Sequence, residues 1–135
     1  MKSKVLIVLI ALAAAAVPLA GHHASYFDPQ EIIVVTGKVS GVQWTNPHAY
    51  LLIDSMHPDG QIQRWTVEGR SPNQLLRAGW TQQTIHIGEE ITVTGRPPRA
   101  DSRLAEMGPF FIGAGPVRLA GGETMRFGPL DIPAK

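Results

Sequence analysis

Two adjacent histidines, His22 and His23, follow a stretch that reads as a secretory signal, and that position gives them particular chemistry. Cleavage after Gly21 would leave His22 carrying a free α-amine. The amine and the Nδ1 of the same residue form a chelate, and a further imidazole can complete a tetragonal site. Cleavage after Ala20 would start the chain Gly21-His22-His23 instead. An imidazole in third position, with the amine and two intervening amides, makes a square-planar site for Cu(II) or Ni(II). Nitrogen-rich tetragonal donor sets favour those metals. The donors deprotonate near neutrality, since an α-amine titrates at about 7.7–8.0 and an imidazole at about 6.5. His48 follows Asn46-Pro47 near Trp44 and supplies a third imidazole if the N-terminal arm folds back. The metal candidates are therefore His22, His23 and His48, and copper is the metal they suit. The competing reading makes the pair incidental to the cleavage region. For His48 it is a surface residue bonded to its own turn, because the sequence shows no partner to orient its ring.

A second set of side chains suits ligand binding: Trp44, Asn46, His48, Trp65 and Glu68. The tryptophans offer an aromatic platform on a sheet face, or else large side chains for a small core. Trp80 belongs with the core reading. Glu68 and Arg70 read most simply as a surface pair at a strand end. An enzyme would need a convergent pocket around His48 and Glu68 with a shifted acid or base. No catalytic residue is assigned. Ser71 is better explained as a helix cap than as a nucleophile. No phosphate-binding glycine loop or dinucleotide fingerprint is present. His57 and His86 lie in polar turns and receive no role.

The signal occupies residues 1–21. Lys2 and Lys4 precede an apolar run from Val5 to Val17, which is too short for a ~30 Å bilayer core. The expected product is periplasmic or secreted, with no stable membrane anchor. Its 114 residues from His22 suit one domain. The chain has no cysteine, so the core alone must hold it together. Without the two signal lysines the charge is about −1, which lacks the basic excess of a nucleic-acid binder.

The elements that would position these groups follow in order. Residues 22–31 form an arm with a turn at Asp28-Pro29. Ile32 to Thr36 is β-branched and opens a strand that runs towards Trp44. The apolar spacing of Val39, Val42 and Trp44 switches from three to two, which predicts a bulge near Ser40-Gly41. Ala49 to Asp54 and Arg64 to Glu68 form an antiparallel hairpin around Asp59-Gly60. Ser71-Pro72-Asn73-Gln74 is a capping box for a short helix that Gly79 stops. Ile91 to Arg96 is a strand. Met107–Ile112 and Val117–Leu119 are two further strand candidates, and Thr124–Phe127 follows the Gly121-Gly122 turn. A barrel over residues 32–128 and a loose tail over 129–135 complete the division. Three strands, a short helix and more strands give an all-β, OB-like small antiparallel barrel of about five or six strands. An open β-roll or sandwich is the alternative.

Three motif groups carry a family resemblance. They are His22-His23 before Phe27-Asp28, then Thr36-Gly37-Lys38-Val39 through Val42-Gln43-Trp44-Thr45-Asn46-Pro47-His48, then Trp65-Thr66-Val67-Glu68-Gly69 with Ser71-Pro72-Asn73 and Leu75–Trp80. Together they resemble an uncharacterised family of small exported proteins of Gram-negative bacteria, a domain of unknown function. The likeness covers roughly residues 20–96. The family usually reads His-His-Ser, whereas Ala24 precedes Ser25 here. After Arg99 the chain departs from the family's short hairpin. The resemblance implies export and a small β-rich domain, and it brings no reaction. The functional expectation is a non-catalytic periplasmic binding or accessory module. Its partner would be an unknown small molecule or a periplasmic protein, not nucleic acid. A copper-binding protein and a small periplasmic enzyme are the alternatives.

Overall fold

The computed structural model describes residues 26–134. Strand β1 (Ile33–Gln43) is followed by β2 (Tyr50–Met56), β3 (Ile62–Glu68), helix α1 (Pro72–Arg77) and β4 (Glu90–Arg96). A 3-10 turn (Arg103–Met107) then leads into β5 (Phe111–Arg118) and β6 (Thr124–Arg126). The sheet order is β3-β2-β1-β4-β5-β6, and β3 pairs with β5 to close it. The closing pair is parallel, and every other pairing between these strands is antiparallel. This is a small OB-like barrel of five strands with β6 added to its rim.

The bend that lets β1 serve both halves of the barrel comes from its sequence. Its N-terminal half pairs with β4 and its C-terminal half with β2. Opposite β2 the register steps from Val39↔Ile53 to Gly41↔Leu52, so Ser40 is the inserted residue. Glycine is required just before the bulge. A Cβ on Gly37 would run into the Asp54 carbonyl and lie 2.9 Å from Ile53 Cγ2.

Inward residues of the strands (Val35, Val39, Leu51, Ile53, Val67, Val93) form one continuous core with Ile112 and Val117. Helix α1 covers one end of it. Ser71 accepts from the Gln74 amide while the Gln74 side chain reaches back to Ser71, so both halves of the capping box are made. Leu75 is fully buried, and Trp80 packs edge-on against Phe127 at 5.2 Å. The Trp80 indole donates to the Arg126 carbonyl at 2.9 Å.

Three expectations are corrected after Arg99. Met107 ends the 3-10 turn and does not start a strand. The two separate strand candidates fuse into β5, which runs through Gly113-Ala114-Gly115-Pro116. These residues resemble a loop in sequence but are small because other parts pack on them. The Phe27 ring would lie 2.5 Å from a Cβ on Gly113, and Ile132 Cβ would lie 3.3 Å from one on Gly115. The tail does not hang loose either. Ile132 is fully buried, and the Leu130 amide donates to the Ala114 carbonyl at 3.3 Å.

The N-terminal arm is likewise held. Phe27 forms an antiparallel bridge with Pro98 and stacks on Phe111 with centroids 6.4 Å apart. The Arg96 guanidinium donates to the carbonyls of Asp28, Pro29 and Glu31.

Candidate functional site

Glu68 ends β3 directly opposite Tyr50, the first residue of β2. Cross-strand partners share a face. Both point away from the inward pair Leu51 and Val67. His48 sits two residues ahead of β2, after the cis peptide Asn46–Pro47. Buried Ala49 is clamped between strands, since its amide donates to the Arg70 carbonyl at 2.9 Å and its carbonyl accepts from the Gly69 amide at 2.8 Å. That clamp fixes the backbone between His48 and Tyr50 against the end of β3. It places His48 Nδ1 2.9 Å from Glu68 Oε1.

The pair is asymmetric. The Glu68 side chain is 12% exposed and the His48 side chain 45%. Burial pushes the Glu68 carboxyl above the usual carboxylate range, against the opposing pull of His48, Tyr50 and Arg103. The Tyr50 phenol is pushed up by its own burial and by the neighbouring Glu68 charge. Arg103 also lies over the Tyr26 ring, 5.0 Å from its centroid.

A cleft of about 750 Å³ opens beside the pair, lined by His48, Glu68, Arg70, Tyr26, Gln74 and Leu130 among others. Its walls come from both ends of the described chain, the arm at Tyr26 and Phe27 and the tail at Pro129–Asp131. The Arg70 side chain makes no ion pair or hydrogen bond among the described residues. When Glu68 accepts the Nδ1 proton, Nε2 keeps its lone pair. The ring can then accept a hydrogen bond, take a proton or bind a metal ion.

The sequence candidates fall into three groups. His48 and Glu68 meet, although twenty residues separate them. Trp44, Trp65 and Asn46 do not line the cleft. Trp44 is half-buried against the core beside Val42, Leu51 and Trp80. Trp65 is also half-buried, packs edge-on with Phe110 at 5.3 Å and donates to Ser55 Oγ at 3.1 Å. Asn46 is an exposed loop residue. His22 and His23 lie outside the described residues. The expected Glu68–Arg70 surface pair is corrected, because neighbours two apart on an extended chain diverge and Glu68 turns to His48. No three His, Cys, Asp or Glu side chains converge as a metal site among the described residues.

Tyr26, Tyr50, Arg103 and Leu130 were not among the sequence candidates. Tyr50 alone carried a signal, as a polar-tipped aromatic on the face opposite Leu51. The others depend on how the chain ends fold back.

Comparison with known proteins gives little chemistry. No curated protein matches this chain. Among solved structures, a mitochondrial single-stranded DNA binding protein from S. cerevisiae, Rim1, superposes with a TM-score of 0.44 at 12% identity. The match covers 73% of this chain and 96% of that one. The decisive match is to a family model: residues 8–106 fit a family of unknown function (DUF6152), and this chain, which carries a His48–Glu68 pair at its cleft, belongs to that family.

Proposed function

We propose that this chain is an exported, non-catalytic binding module of a Gram-negative bacterium, acting in the periplasm or as a secreted protein, with its ligand in the His48–Glu68 cleft. The observation that carries the reading is the hydrogen-bonded His–carboxylate pair on the wall of a ~750 Å³ cleft. That volume lies within the range of about 300–1,000 Å³ usual for small-molecule sites. Arg70, free of intramolecular partners among the described residues, and the Tyr26 and Leu130 walls favour a small molecule with a polar end and an apolar body. The near-neutral mature charge argues against nucleic acid as partner.

The test is a thermal-shift screen of the metal-free mature protein against glycans and small metabolites. A binder should raise the melting temperature of the parent, and His48→Gln and Arg70→Gln should each lose most of that rise. Binding that ignores both substitutions would move the site elsewhere. Intact-mass measurement of the exported protein tests the export reading. A start at Gly21 or His22 supports it, and retention of Met1–Val17 overturns it.

An acid–base enzyme is the second reading, favoured by the raised Glu68 carboxyl beside His48. Turnover of a screened compound that Glu68→Gln abolishes would replace binding with catalysis.

A further inference from the structure

We infer that the cleft takes an apolar monocarboxylate whose carboxylate is held by the Arg70 guanidinium, and that His48 positions Glu68 so that it does not compete for Arg70. The inference rests on the cleft reading above and names the class of its ligand. Most polar groups of the cleft wall are already engaged. Glu68 is bonded to His48 at 2.9 Å and Asp131 to Arg126 at 3.0 Å. The Gln74 side chain accepts from Ser71 in the capping box. Arg70 is the one charged side chain of the lining without a partner among the described residues. Its backbone is pinned on both sides, since its amide donates to the Phe127 carbonyl and its carbonyl accepts from the Ala49 amide, each at 2.9 Å. A half-buried guanidinium on a fixed backbone thus presents its N–H donors to the cleft without an acceptor.

The charge pattern selects the anion. The planar guanidinium fork matches the two oxygens of a carboxylate. Arg70 supplies one positive charge, and the ionised Glu68 on the same wall repels a second negative one, so a dianion such as a phosphate monoester fits worse. The walls select the body. Tyr26 and Pro129 are exposed, and Leu130 is half-buried beside them. Glu68 precedes Arg70 by two residues and lines the same cleft, so its carboxylate is a built-in rival for the guanidinium. His48 Nδ1 engages that rival at 2.9 Å. His48 therefore acts on the ligand through Glu68.

The test is calorimetric titration of the metal-free mature protein with octanoate and phenylacetate, with the primary amide of each, and with octyl phosphate. Each amide keeps the shape of its acid and lacks the charge. The parent should bind at least one of the two acids about tenfold or more tighter than its amide, and should bind octanoate tighter than octyl phosphate. Arg70→Gln should abolish the preference for acid over amide, and Arg70→Lys should recover part of it, since the charge returns without the fork. His48→Ala should weaken binding of the acid about tenfold, because the Glu68 charge then faces the cleft unengaged. Adding Glu68→Gln to His48→Ala should restore most of the affinity. A histidine that merely touched the ligand would not be rescued in this way.

The comparison of acid, amide and phosphate uses the unmutated protein and so does not depend on variant folding. Equal affinity for acid and amide, tighter binding of octyl phosphate, or no binding of either acid would overturn the inference. Failure of the double variant to recover would overturn the role given to His48. The two readings fail separately. A neutral compound from the metabolite screen that depends on Arg70 and His48, with neither acid bound, removes the carboxylate and leaves the cleft. An acid whose advantage over its amide survives Arg70→Gln places the site outside the cleft and removes both.

Discussion

At the scale of single residues, Glu68 shows a conflict between stability and use. Its carboxyl is pushed up mainly by burial, more than His48, Tyr50 and Arg103 pull it down. A carboxyl whose folded value is raised contributes fully to stability below the ordinary carboxylate range. That contribution is lost as pH climbs through the raised value. At neutral pH the ionised Glu68 is therefore a net cost to the fold. Glu68→Gln should melt a few degrees higher than the parent at pH 7, and the gap should close on acidification below about pH 4, where both side chains are neutral. A lower melting temperature for the variant at pH 7 would mean that the bond to His48 outweighs the desolvation. The sequence named both members of this pair and could not join them. Which residue of β3 faces Tyr50 depends on the hairpin register, and the long loop around Asp59-Gly60 leaves that open. His48 thus looked unpartnered and Glu68 looked paired with Arg70.

Among the elements, those with local signals were readable and those built from distant contacts were not. The bulge at Ser40 announced itself by a change of apolar spacing, and α1 by Ser71, Pro72 and Gln74. Strand β5 gave no such sign. Its centre is Gly113-Ala114-Gly115-Pro116, whose smallness makes sense only once Phe27 and Ile132 are seen lying on it. Gly113→Ala should therefore cost about 1–3 kcal/mol, the usual range for overpacking. A urea titration checks the size. Combining it with Phe27→Ala should give less than the sum of the two single costs, since the alanine methyl then has room. Full additivity would show that the arm does not rest on Gly113.

For the whole molecule, the fold class was legible because strand order and a helix between the third and fourth strands leave few closed arrangements. The ends were not, since Pro129 and Pro133 resemble a frayed terminus while Ile132 beside them is a core residue. Ile132→Ala should cost about 2–5 kcal/mol, as a buried large-to-small change does, and a shift of the denaturation midpoint measures it. A negligible shift would return the tail to the loose state expected from its sequence. Because the arm and the tail wall the same cleft, laboratory handles have unequal effects. A polyhistidine tag after Lys135 would begin five residues beyond Asp131, within roughly 18 Å of extended chain, and would offer about six foreign imidazoles to the cleft where ligand binding is to be measured. The Asp59–Gly60 turn is the safer attachment point for a dye or a tag. It caps the opposite end of the β2–β3 hairpin, six residues along β2 from Tyr50, or ~20 Å away at the usual strand rise.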